Sequence, residues 1–163
     1  MGLVKRLLEF LDRQQTWAPV FLRAAIAATF IIHGYGKVFD RGASAVTEGF
    51  VKMGIPLAAQ LGPLVPYVEF VGGICVGLGL LTRLAALMQS GVMVFAIAFV
   101  HFKQGYAMSA AIVDQGGKSV ARAQGWEWQA LLLAGCLTLF FTGAGRLSLD
   151  HLIRKKLVGP PRA

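Results

Sequence analysis

Residues 69–86 read EFVGGICVGLGLLTRLAA. An acid opens a run of apolar and small residues, and only Thr82-Arg83 separates that run from the next apolar one. A helix needs about 20 mostly apolar residues to cross the hydrocarbon layer of a bilayer. Both sides of the Thr82-Arg83 break supply a stretch of that order. They read as two spanning helices joined by so short a turn that they must run antiparallel.

Two more apolar stretches lie outside this hairpin. The expected spans cover about residues 18–37, 64–82, 84–102 and 126–143. No alternation of period two recurs, which argues against a transmembrane barrel. The fold class expected is all-α: a four-helix transmembrane bundle with interfacial amphipathic helices at both termini. Composition agrees, with 56% hydrophobic residues, 15% charged residues and a mean hydropathy of +0.62. An average soluble domain carries about 25% charged residues.

The net charge of +8 does not point to nucleic acid, because no binding motif accompanies it and the basic residues are scattered over loops and tails. They suit cytoplasmic membrane flanks better. With both termini on one side, that side holds nine Lys and Arg, ten with Arg23, against six on the other. Both termini are therefore expected in the cytoplasm of a multi-pass protein. Glu9 and Asp12 interrupt the first sixteen residues, and no signal peptide is expected. Trp17, Trp126 and Trp128 fall at span ends, as an interfacial belt requires.

At the N-terminus, Leu3, Leu7, Leu8 and Leu11 share one helical face against Lys5, Arg6, Glu9, Asp12 and Arg13. At the other end Ser148 can cap a helix with Asp150 in its first turn and Lys155 and Lys156 in its last. Gly159-Pro160-Pro161 would stop it. Of the two long connections, one contains a short helix over residues 44–53, stopped by Gly54 and Pro56. The other, residues 103–125, has Gly116-Gly117 at its centre and little apolar periodicity, and reads as a flexible lid or a disordered excursion. Cys75 and Cys136 sit singly in apolar runs, without CxxC or metal-ligand spacing, and read as packing residues.

Threading the spans sorts the ionisable residues into two layers. Arg23, Arg83, Arg146 and Asp150 collect at the inner end and read as a structural layer, with the arginines near anionic head groups. His33, Lys37, Glu69, His101 and Glu127 collect at the outer end. Arg23 to Lys37 is fourteen residues, as is Glu69 to Arg83. Each interval is about 21 Å of helix and returns to nearly the same face.

The outer layer has usable chemistry. His33 and Lys37 are i and i+4 and share a face. Glu69, His33 and Lys37 are the catalytic candidates: a Lys or His can donate to a polar head group such as a quinone carbonyl, and a Glu can accept a proton. His101, Glu127, Tyr35 and Trp126 are candidate ligand-binding residues. Bland alternatives stand beside these. Lys37 can snorkel to the interface, Glu127 can be a solvated first-turn acid, and His101 can be interfacial. No haem, flavin or metal motif is present. Gly73 and Gly77 form a GxxxG pair, which serves either packing within the chain or a homodimer.

HGYGKVF (33–39), GIP (54–56), residues 69–86, GWEWQALLL (125–133) and TGAGRLSLD (142–150) occur in an order that resembles the DoxX family of small membrane proteins. The resemblance spans roughly residues 20–152 and implies one membrane domain over residues 1–163 in a bacterial cytoplasmic membrane. It also implies links to thiosulfate:quinone oxidoreductase subunits and to resistance against quinones and thiol stress, without established catalytic residues. Three functions follow as expectations: a quinone-linked oxidoreductase subunit served by a soluble or membrane redox partner, a non-catalytic scaffold for redox proteins, and a small-molecule transporter working as a dimer. Membrane lipid is a partner under all three.

Overall fold

The computed structural model describes residues 2–107, 112–114, 119–121 and 125–158. Helices dominate: α1 (Gly2–Gln14), α2 (Ala18–Tyr35), α3 (Ala43–Lys52), α4 (Ala58–Leu78), α5 (Thr82–Phe95), α6 (Glu127–Thr142) and α7 (Leu149–Val158). A 3₁₀ turn (Gln15–Trp17) carries α1 into α2 without a break, so the run from Gly2 to Asp40 is continuously helical. Helices α2, α4, α5 and α6 pack in that order, and α6 closes back on α2.

The α2–α4 seam is the closest approach. Glycines occupy the contact points, and a Cβ on Gly34 would lie 2.5 Å from the Phe70 backbone nitrogen. On the facing helix a Cβ on Gly73 would meet Ile31 N at 2.9 Å, and one on Gly77 would meet Ala27 Cβ at 3.1 Å. The GxxxG pair thus serves packing within the chain. Phe30, Ile26, Ala27 and Val76 fill the seam and are almost fully buried.

The α4–α5 turn explains residues 79–82. Gly79 ends α4 in the left-handed conformation, with Leu80 N bonded to Cys75 O at 2.9 Å and Gly79 N to Val76 O at 3.1 Å. Leu81 is left-handed as well (φ 47°), an arrangement that costs a non-glycine residue about 1–2 kcal/mol. Asp150 offsets this: its carboxylate accepts from Leu81 N at 2.7 Å and Thr82 N at 2.9 Å. Sequence had placed Asp150 in the first turn of its own helix to serve that dipole. The structure does place it in the first turn of α7 and also uses its carboxylate to cap α5, while Ser148 Oγ caps α7 by accepting from His151 N.

Arg23 lies under the same turn and is 4% exposed. Its guanidinium donates to four carbonyls: Val76 at 2.9 Å, Gly77 at 2.8 Å, Ala144 at 2.6 Å and Leu147 at 2.8 Å. The expectation of a head-group contact is corrected for this residue. A buried guanidinium must spend its donors on protein, and the C-terminal carbonyls of α4 supply the negative end of a helix dipole.

Other boundaries shift for physical reasons. The second span, expected over about 64–82 with an earlier entry through Pro56–Gln60 as the alternative, takes that earlier entry: α4 starts at Ala58 and runs through Pro63 and Pro66. Gly62 presses on Thr47 of α3, where a Cβ would come within 2.5 Å of Thr47 Cα, and this packing holds the proline-weakened turns. The short helix expected over 44–53 is α3. Within residues 103–125, in the connection expected to be a flexible lid or a disordered excursion, Ile112–Asp114 pairs antiparallel with Ser119–Ala121. Gly116-Gly117 and Gly159-Pro160-Pro161 fall outside the described residues.

Large apolar side chains, among them Phe21, Ile32, Val94, Leu131 and Phe141, are more than half exposed along the long helices. Among the described residues three helical runs are long and apolar enough to cross a membrane: Gly2–Asp40, Ala58–Leu78 and Thr82–Gln104. Helix α6, at 16 residues, is shorter. Among the described residues nothing buries α1, whose side chains are all exposed.

The seam makes a prediction about stability. Gly34→Ala adds a methyl where backbone already stands, and overpacking of this kind costs about 1–3 kcal/mol. Thermal unfolding in detergent should show a clear loss. Gly91→Ala, with no atom within 4 Å of the added carbon, should show none.

Candidate functional site

Two of the long helices leave the α-helical ladder at the same end of the molecule. Helix α2 passes into a π turn, Gly36–Asp40, and α5 into another, Ala96–His101. A π turn carries one extra residue per hydrogen-bonded loop, so it re-aims the side chains it bears, and such turns recur at functional sites. Here they carry Lys37 and His101.

Lys37 meets Glu69 across the α2–α4 seam. Its ammonium donates to both carboxylate oxygens, each at 2.6 Å. The Glu69 side chain is 5% exposed and that of Lys37 28%. The pair therefore sits with its acid inside the protein and its base toward an opening. Lys37 does not reach away to an interface; Glu69 holds it. The glycines of the seam explain the meeting, since only helices this close bring both side chains together with short bonds.

The opening is a cleft of about 510 Å³, within the range of small-molecule sites. His33, Lys37, Glu69 and His101 all line it. Its other walls are largely apolar, with Phe30, Val65, Met93 and Phe95 among them, and α3 contributes Phe50. Four of the sequence candidates are thus brought to one space.

The other three are not. Tyr35 points away and makes ring contacts with Phe39 (centroids 4.8 Å apart) and Phe70 (6.2 Å). Trp126 packs edge-on against Tyr106 at 4.7 Å. Glu127 opens α6, and its backbone nitrogen bonds to Tyr106 O at 2.9 Å; it does not line the cleft, although its neighbours Trp128 and Gln129 do. Tyr35, Trp126 and Glu127 thus stand outside the lining of this cleft. Gly125 fixes this placement, because a Cβ there would meet three carbonyl oxygens of residues 105–107 within 2.6 Å. His101 and Glu127 are each engaged with a partner.

Sequence reading missed Arg41, Trp128 and Gln129, all of which line the cleft. Arg41 carries an ordinary loop signature. Trp128 had been read as a belt residue only. Gln129 gives no periodic signal, yet its side-chain oxygen is buried without a hydrogen-bond partner among the described residues. A buried orphan acceptor is costly, and a ligand donor in the cleft would relieve it.

At the opposite end, Arg83 and Arg146 are exposed, and both border a second cleft together with Asp150. The inner layer therefore divides. Arg23 and Asp150 bond backbone, whereas Arg83 and Arg146 face outward.

Comparison with known proteins places this geometry in a family. The DoxX family model matches residues 18–102. An uncharacterized protein of Haemophilus influenzae is 32% identical over 146 residues, covering 90% of this chain and 98% of the relative. The inner membrane protein YqjF of Escherichia coli K12 is 27% identical over 134 residues, covering 82% and 90% respectively. No solved structure matches the chain significantly.

The Lys37–Glu69 pair can be weighed by mutation. Removing one member of a buried pair costs about 3–5 kcal/mol, and the partial exposure of Lys37 puts Glu69→Gln toward the lower end or beneath it. Lys37→Met should behave similarly. The double variant Lys37→Met/Glu69→Gln should lose less than the sum of the two single losses, and unfolding of the unsubstituted chain and all three variants in detergent gives the coupling energy.

Proposed function

The chain belongs to the DoxX family, and from that premise we propose a multi-pass protein of the bacterial inner membrane whose Glu69 cleft binds the head of a quinone-like amphipathic molecule and supports redox chemistry there. Helices α2, α4, α5 and α6 form its four-helix transmembrane bundle. Helices α1 and α7 lie along the membrane surface, and both termini are cytoplasmic, as the Lys and Arg count favours. The observation that carries the reading is a single one: Lys37, Glu69, His33 and His101 border one largely apolar cleft.

The chemistry follows from the side chains. A quinone head is a flat apolar ring with a carbonyl at each end. The aromatic and aliphatic walls suit the ring. Lys37, Arg41 or an imidazole N–H can donate to a carbonyl oxygen. Reduction to the quinol takes two electrons and two protons. Glu69, freed from Lys37 when the ammonium turns to the ligand, can take a proton from solvent and pass it to one carbonyl oxygen. Water entering the cleft supplies the second proton, which completes the other hydroxyl. The Gln129 oxygen can accept from a quinol hydroxyl. The chain has no redox centre of its own by motif, so a soluble or membrane partner protein supplies the electrons.

One observation favours the rival reading, a non-catalytic scaffold. Lys37 and Glu69 already satisfy one another, as a purely structural lock would. Binding separates the two. With protein purified in mild detergent, a short-chain quinone analogue should quench the fluorescence of Trp128 saturably, and Glu69→Gln should weaken that binding about tenfold or more, as loss of a charge-assisted contact does. Absence of both extractable quinone and saturable quenching, with the variant merely less stable, would leave the scaffold.

A further inference from the structure

We propose that the second cleft, at the Arg23 end, is a binding site for the phosphate head group of an anionic phospholipid. It measures about 1040 Å³ and lies between the start of α5, the 143–146 turn and α7. Its ionised lining comprises three arginines, Arg83, Arg146 and Arg154, against one acid, Asp150. Among the described residues none of those guanidiniums has a hydrogen bond or an ion pair, whereas both carboxylate oxygens of Asp150 are taken up by the Leu81 and Thr82 nitrogens. The cleft is therefore strongly cationic with its only acid already engaged.

The positive charge is also positioned. The guanidinium of Arg83 lies against Gly143, within 3.6 Å of where a Cβ would stand. Gly143 (φ 81°) and Gly145 (φ 74°) give the turn its left-handed bends, so the loop that carries Arg146 folds back beside Arg83. A second, independent feature points to a ligand. Thr82 borders the same cleft and is fully buried, yet its hydroxyl has no hydrogen-bond partner among the described residues. A hydroxyl donates readily to a phosphate oxygen, and arginines bind phosphate through paired N–H groups.

The surroundings select a lipid over a free anion. Leu81 and Leu84 line the cleft and are more than half exposed, as is Leu147 next to it. A phosphate with acyl chains satisfies both the arginines and this apolar rim; inorganic phosphate satisfies only the arginines. The site depends on the chain residing in a membrane and not on what occupies the Glu69 cleft.

The test uses the full chain in mild detergent, followed by thermal unfolding with added dioleoyl-phosphatidylglycerol, dioleoyl-phosphatidylcholine or inorganic phosphate. The phosphatidylglycerol lipid should raise the unfolding temperature with a defined half-saturation, and the other two should not. Arg83→Gln/Arg146→Gln should shift that half-saturation about tenfold or more, since each basic group near an anionic lipid is worth about 1 kcal/mol. Lys155→Gln/Lys156→Gln removes the same charge from α7 outside the cleft and should leave it within about twofold. Should the double arginine variant fail to fold, Arg154→Gln on the exposed face of α7 is read in its place. A response to inorganic phosphate alone, an equal response to phosphatidylcholine, or an equal loss in the lysine variant overturns the proposal.

Discussion

Everything in this molecule depends on how close α2 and α4 come. In hydrocarbon there is no water to drive apolar side chains together, so helix association rests on close packing and on polar bonds between helices. Gly34, Gly73 and Gly77 provide the first by omitting side chains where the backbones touch. The two ends of the seam provide the second. At one end Arg23 closes on the carbonyls of Val76 and Gly77, and at the other Lys37 closes on Glu69. The step of fourteen residues from Arg23 in α2 to Lys37 in the π turn after it corresponds to about 21 Å of helix, so the locks bracket the glycine contacts and fix both register and depth.

The locks differ in character. Arg23 spends its donors on four carbonyls and is closed over by Gly79 and Ser148. That arrangement commits four of its five N–H groups to backbone and buries the side chain away from a ligand. Among the described residues the side chains of Lys37 and Glu69 bond only one another, and a cleft opens beside them. A bond between two side chains can be exchanged for a bond to a third party, whereas a guanidinium committed to four backbone groups cannot be exchanged without dismantling the helix end.

Much of this was legible in the chain. Charged residues fourteen apart on one apolar helix announce a helix with two polar ends on one face, and Glu69 within its span demanded a partner. The Thr82-Arg83 break announced the hairpin. What sequence did not carry is the direction of individual side chains after a change in helical geometry. The π turns at Gly36–Asp40 and Ala96–His101 follow no compositional rule. Tyr35, just before one of them, turns outward to Phe39 and Phe70 instead of joining His33 and Lys37. The second role of Asp150 was hidden for a related reason: it does open α7, but its cap on α5 is not written in local spacing. Local spacing favours its own helix, and only the fold brings the strained Leu81 within its reach.

The bonds of Arg23 and Asp150 also impose an order on biogenesis. Two of the four carbonyls that Arg23 grips, those of Ala144 and Leu147, lie more than 120 residues downstream of it, and the cap on α5 comes from Asp150. While the chain is being made, α2, α4 and α5 emerge with a half-satisfied guanidinium and an uncapped, strained turn. The segment 144–150 is synthesised last among these parts and completes both. A chain that ends before residue 144 therefore leaves the Arg23 guanidinium with two of its four acceptors and the start of α5 without its carboxylate cap.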